Sequence, residues 1–205
     1  MSEFGFYFGE GLKHISDITA YDHILFVTAL AGVYALRQWT TILWLVTAFT
    51  LGHSLALALA VYDVVRVPVE LVEFCIPLSI LATCGLNISR AGDIEAAAQR
   101  GDGATAWGGY GLAVVFGLIH GLGFSNYLRF SLLQSDSLFE PLLGFNLGLE
   151  AGQLLIVAAV LLLNFFAIQI LGARLRDWIL VVSSAVAGIA LVLSIETGYA
   201  WWTGG

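Results

Sequence analysis

The apolar residues of this chain come in runs long enough to cross a lipid bilayer, and that property decides most of what it can fold into. From Trp39 to Tyr62 no Asp, Glu, Lys or Arg interrupts the sequence. A helix that spans the hydrocarbon core needs about 20 such residues at about 1.5 Å of rise each. Composition agrees over the whole length: 59% of the 205 residues are hydrophobic and 11% are charged, against about 25% charged in an ordinary soluble domain. A soluble globular domain and a disordered chain are excluded. The net charge of -7 excludes a nucleic-acid binder too, because phosphate backbones select Lys and Arg.

The expected fold is all-α, a single polytopic transmembrane domain embedded in the lipid bilayer over 1–205. Six spans are predicted at about 21–36, 39–62, 67–88, 106–128, 138–168 and 176–195. Pro68 suits the start of the third, and Pro77 predicts a kink inside it. The stretch 89–105 carries Arg90, Asp93, Glu95, Arg100 and Asp102 and reads as a polar loop. The first residues hold Phe4, Phe6, Tyr7 and Phe8 without a basic run. They read as an interfacial or re-entrant segment rather than a cleavable signal peptide. Thr19 and Asp22, three apart before an apolar run, fit a helix cap. Cys75 and Cys84 would lie about 13 Å apart on one helix, too far for a disulfide.

Six spans put both termini on one side of the membrane. Lys13, Arg66 and Arg129 fall on that side, and Arg37, Arg90, Arg100, Arg174 and Arg176 on the other. The positive-inside rule then places both termini outside the cytoplasm, in a protein of the cell's inner (cytoplasmic) membrane. A short echo links Phe49-Thr50-Leu51-Gly52-His53 to Phe145-Asn146-Leu147-Gly148-Leu149-Glu150. Aromatic–small–glycine strings are common in membrane helices, and chance is the simpler account. If spans one to three and four to six are repeats, their odd number makes them a 3+3 inverted pair, a transporter signature.

Polar side chains inside such spans are costly, and each is a functional candidate. His14, Asp17, Asp22 and His23 cluster at the start of the first span. Thr50, His53 and Ser54 share one face of the second. His120 lies beside the small-residue stripe Gly117, Gly121, Ser125 in the fourth, which permits close helix approach. In the fifth, Asn146, Glu150 and Gln153 fall on one face, and Gly144, Gly148 and Gly152 form a stripe nearly opposite. Either glycine stripe could join two copies of the chain into a homo-oligomer. Glu70 and Glu73, near the end of the third span, could form an anionic vestibule that concentrates cations.

No Lys or Arg falls at the membrane centre to neutralise these carboxylates, so a cation or bound protons would supply the missing charge. Imidazole with carboxylate and amide oxygen suits Ni, Co, Zn or Cu as divalent ions. With those residues in view, the chain resembles the HupE/UreJ family of hydrogenase- and urease-associated membrane proteins. The resemblance rests on His14 with Asp22-His23-Ile24-Leu25-Phe26, on Thr47 to Ser54, on Gly117 to Phe124 and on Phe145 to Gln153. It implies a small permease for a transition metal, usually nickel. Carried onto this chain, it implies His14, Asp22, His23, His53, His120 and Glu150 as metal-binding positions, with Asn146 and Gln153 beside them. Hydrogenase-linked members differ in having a signal peptide and a His-rich terminal tract.

Two other classes compete. Three histidines and a carboxylate could hold a catalytic zinc ion in an intramembrane enzyme, with Ser54 supplying a hydroxyl next to His53. Alternatively, His53 and His120 could be axial haem ligands in a structural subunit of a membrane complex. A retained stoichiometric metal marks the first, and an absorbance scan the second.

Overall fold

In a computed structural model the chain is all-helical. The structure describes residues 2–18, 21–100, 107–132 and 138–204, with only the backbone of Leu36, of 107–108 and of 124–132. Among the described residues there are seven α-helices: α1 (Glu3–Ser16), α2 (Asp22–Ala31), α3 (Trp39–Val61), α4 (Val69–Arg100), α5 (Trp107–Leu132), α6 (Phe139–Phe165) and α7 (Leu175–Thr203). A 3-10 turn at Leu36–Gln38 leads into α3, and a π turn at Phe166–Ile170 extends α6. Among the described residues, four elements are long and apolar enough to cross a membrane: Trp39–Val61, Val69–Arg100, Phe139–Ile170 and Leu175–Thr203.

Two pairs of long helices, α3 with α6 and α4 with α7, run antiparallel. Tyr62, just after α3, lies beside Leu138 and Phe139 at the start of α6. Phe74 near the start of α4 stacks on Trp201 near the end of α7 at 5.6 Å. At the opposite end Arg174 reaches Glu95 at 3.4 Å.

Two other pairs run parallel and approach closely because glycines remove the intervening side chains. Along α1 and α6, a Cβ on Gly148 would overlap the carbonyl oxygen of Phe8, and one on Gly11 would overlap that of Phe145. Along α3 and α5, a Cβ on Gly52 would overlap the carbonyl of Val114, and one on Gly117 that of Phe49. Small residues let backbones meet where lipid offers no hydrophobic drive for association.

This packing corrects two expectations and gives the N-terminal segment a partner. The stripes Gly144–Gly148–Gly152 and Gly117–Gly121 do not face outward for a second copy; α1 and α3 of the same chain fill them. The N-terminal segment, expected to be interfacial or re-entrant, forms α1. It packs lengthwise on α6, with Phe4 at Gly144, Phe8 at Gly148 and Ile15 at Gly152. The polar stretch after the third span is not a loop as far as Arg100, because α4 continues through it. Ala96, Ala97, Ala98 and Gln99 are strong helix formers, and Glu95 is anchored by Arg174, so propensity carries the helix on past its apolar part. Residues 101–106, and the Thr19 cap, lie outside the described residues.

α2 has ten residues, about 15 Å of helix, half a bilayer core. Its last carbonyls would be orphaned in an apolar interior. Asn164 of α6 donates from Nδ2 to the carbonyls of Ala31, Gly32 and Tyr34 at 3.3, 3.4 and 3.0 Å. Asn87 of α4 donates to that of Ala29 at 2.8 Å. Trp178 Nε1 donates to Asn164 Oδ1 at 2.7 Å, which fixes the amide's orientation. Cys75 and Cys84, both on α4, are free thiols.

Candidate functional site

The end of α1 and the start of α2 meet between α3, α5 and α6, and all four histidines gather there. His14 closes α1 and His23 opens α2, with ring centroids 4.8 Å apart. His53 of α3 lies 6.2 Å from His14 and 6.1 Å from His23. His120 of α5 lies 5.1 Å from His23. His23, His53 and His120 are buried, at 3%, 0% and 1% exposure. The sequence placed these residues on four separate segments, and one layer of the fold collects them.

Two of the rings have a committed nitrogen. His23 Nδ1 donates to Asp22 Oδ1 at 3.1 Å, and His120 Nδ1 donates to the carbonyl of Phe116 at 2.8 Å. An acceptor on Nδ1 places the ring proton there and leaves the Nε2 lone pair outward, the arrangement found behind metal-bound imidazoles. Among the described residues, His23 Nε2, His120 Nε2 and both nitrogens of His53 are buried without a hydrogen-bond partner in the protein. An unpartnered buried polar atom costs about 1–3 kcal/mol, so such a group of them calls for a ligand.

The remaining candidates divide. Asp22 is the orienting carboxylate behind His23, with its side chain 24% exposed. Asp17 caps the end of α1 in the turn before α2. Glu150 accepts from Thr47 Oγ1 at 2.6 Å, and one turn on, Gln153 Oε1 accepts from Thr50 Oγ1 at 2.8 Å. These two bonds join the polar face of α6 to α3. The Asn146 Oδ1 atom, on the same face, is buried with no partner. Ser54 donates to the carbonyl of Thr50 at 2.7 Å and not to His53. Glu70 and Glu73 are exposed at the start of α4. No group of three or more His, Cys, Asp or Glu side chains among the described residues stands as a finished metal-chelating set.

Sequence reasoning passed over Asn87, Asn164 and Trp178, and gave Thr47 no role beyond its place in the Thr47 to Ser54 string. The two asparagines carried a signal, being amides inside apolar spans. It also passed over a second layer. Phe26, Phe49 and Phe116 lie one helical turn from His23, His53 and His120 respectively. Phe26 stacks on Phe49 at 5.0 Å and meets Phe116 edge-on at 5.6 Å. Phe26 and Phe49 pack on His120 at 5.2 and 5.3 Å.

The fold and the buried imidazole layer define an all-helical, multi-pass membrane protein. The family model described as HupE / UreJ protein matches residues 1–201, and the chain belongs to that family. No curated protein and no solved structure matches it.

Proposed function

We propose that the chain is a permease for a divalent transition metal, nickel first, in the cytoplasmic membrane with both termini outside the cytoplasm. The observation that carries this reading is the group of unpartnered imidazole nitrogens on His23, His53 and His120, two of the rings already held by an acceptor on the other nitrogen. Two imidazoles that share one ion at about 2.1 Å in tetrahedral geometry have centroids about 5 Å apart. The rings stand at 4.8–6.2 Å, so reorientation of side chains, rather than of helices, would complete a ligand set. His53 can turn without breaking a hydrogen bond. A loose set suits a cargo that must leave again.

In this reading Glu70 and Glu73 attract the ion, and Asp17 and Asp22 receive it. His14, His23, His53 and His120 carry it, with Glu150, Asn146 and Gln153 as oxygen partners. An inward divalent ion gains about 4.6 kcal/mol per 100 mV, twice the value for one charge. The back-bonded hydroxyl of Ser54 favours a permease over a hydrolase, since a nucleophile needs its base in contact.

The same reading takes α1, which ends at Ser16, and α2, which begins at Asp22, as the two halves of one span, which with α3 to α7 makes six. Discontinuous spans mark transport sites at the membrane midplane. It also takes the two halves as inverted repeats, α1 to α4 and α5 to α7. Aligning Phe49 with Phe145 brings Gly52 onto Gly148. Aligning Val114 with Phe8, the residues those two glycines touch, brings Gly117 onto Gly11 and His120 onto His14.

The test is flux of Ni²⁺ and Co²⁺ into proteoliposomes holding the purified protein, with His23→Ala, His53→Ala and His120→Ala beside it. Saturable uptake lost in all three variants supports the proposal. Uptake equal to that of empty liposomes overturns it.

A further inference from the structure

We propose that Phe49 and Phe145 are the two gates of the histidine layer, one on each side of it. This rests on the permease reading above and specifies how the site would be closed.

His53 lies against both rings, 6.0 Å from Phe49 at 36° and 6.4 Å from Phe145 at 24°. Phe49 comes one turn before His53 on α3. Phe145 comes near the start of α6, which begins at the opposite end of the molecule because α3 and α6 are antiparallel. In this proposal the two phenyl rings bracket the imidazole, Phe49 toward the start of α3 and Phe145 toward its end, where the neighbouring Asn146 lines a groove with Ser54. Both are buried, at 1% and 0% exposure.

On each side of the layer lies a hollow with polar groups, lined by neighbours of the two rings and not by the rings themselves. Beyond Phe49, Phe26 and Phe116 complete a phenyl layer, and Phe116 is also the wall of a cavity of about 140 Å³ lined by Tyr34, Thr83, Asn87 and Arg90. On the Phe145 side, an open groove of about 500 Å³ runs between α3 and α6 past Ser54, Tyr62 and Asn146, the residue next to Phe145. In this proposal an ion passing from either hollow to His53 crosses a buried aromatic ring, Phe49 on one side and Phe145 on the other. Apolar constrictions block hydrated ions by excluding water. Both rings are closed here, so this conformation is occluded. Turning one ring aside opens the layer to one side only, which is what alternating access requires.

The test needs no metal. In a background with Cys75→Ala and Cys84→Ala, the single variants Phe49→Cys and Phe145→Cys are treated with a membrane-impermeant thiol reagent from each side of the membrane. The expected result is opposite sidedness: Phe145→Cys reacts from the side that bears the termini, and Phe49→Cys from the other. A second measurement places the reporter at His53→Cys, which should be unreactive alone. Adding Phe145→Ala should open it from the termini side, and adding Phe49→Ala from the other. Reaction of both phenylalanine positions from the same side, or of neither, overturns the gates and leaves the permease reading standing. Correct sidedness without Ni²⁺ or Co²⁺ flux in the unaltered protein retains the gates and overturns the cargo.

Discussion

His23 and Asp22 are neighbours in sequence, and the carboxylate of one holds the imidazole of the other by a 3.1 Å bond at the first turn of α2. The bond holds the ring of His23, whose centroid lies 4.8 Å from that of His14 and 5.1 Å from that of His120. Asp22→Asn keeps an oxygen acceptor for the Nδ1 proton and removes the charge behind it. Losing such an orienting partner typically weakens metal affinity 10–100-fold. The expected outcome is a rise of about that size in the half-saturation concentration for Ni²⁺ uptake, with the protein still folded. An unchanged half-saturation value would assign the Asp22–His23 bond to helix capping alone.

Glu150→Gln preserves the bond from Thr47 and removes a negative charge from the middle of α6. A desolvated cation without its counter-charge costs at least several kcal/mol, and each 1.4 kcal/mol is about tenfold. Uptake should therefore fall by more than about tenfold with normal yield and thermal stability. Near wild-type uptake would remove Glu150 from the ion's path and leave it as a tie between α3 and α6.

Gly148 and Gly188 form a matched pair. A Cβ at Gly148 overlaps the carbonyl of Phe8, whereas one at Gly188 meets nothing within 4 Å. Gly148→Ala should separate α1 from α6 and lower the melting temperature, and Gly148→Leu should abolish folded protein. Gly188→Ala should leave the melting temperature unchanged or slightly raised, since Ala is better than Gly in a helix by about 0.5–1 kcal/mol. Equal melting temperatures for the two Ala variants would refute the close α1–α6 contact.

Asn164→Leu removes the donor shared by the carbonyls of Ala31, Gly32 and Tyr34 and the acceptor for Trp178. Each buried group left unpaired costs about 1–3 kcal/mol. The expected outcome is a marked loss of thermal stability with a blunted Trp178 fluorescence signature. Asn164→Gln, whose amide can still reach some of these groups, should lose less.

Hydropathy and helical spacing made the membrane class legible, because the cost of placing each side chain in lipid is local and adds along the chain. They also exposed the four histidines and the two faces of α6, with Asn146, Glu150 and Gln153 on one and Gly144, Gly148 and Gly152 on the other. The partners of those faces were not legible. Gly148 reads the same whether a second copy or α1 lies against it, and only tertiary packing chose α1. Phe4, Phe6, Tyr7 and Phe8 read as interface anchors because aromatic residues favour that layer, and nothing in their spacing showed that the backbone at Phe4 and Phe8 lies against Gly144 and Gly148 of α6. The stretch after Ile88 read as loop because its charges exclude it from lipid, yet charge does not oppose a helix that continues past the bilayer. His14, His23, His53 and His120 were each visible as a polar residue in an apolar run. Their assembly into one layer depended on where α1 stops and α2 begins between α3 and α5, and long-range contacts of that kind leave no periodic trace in a single sequence.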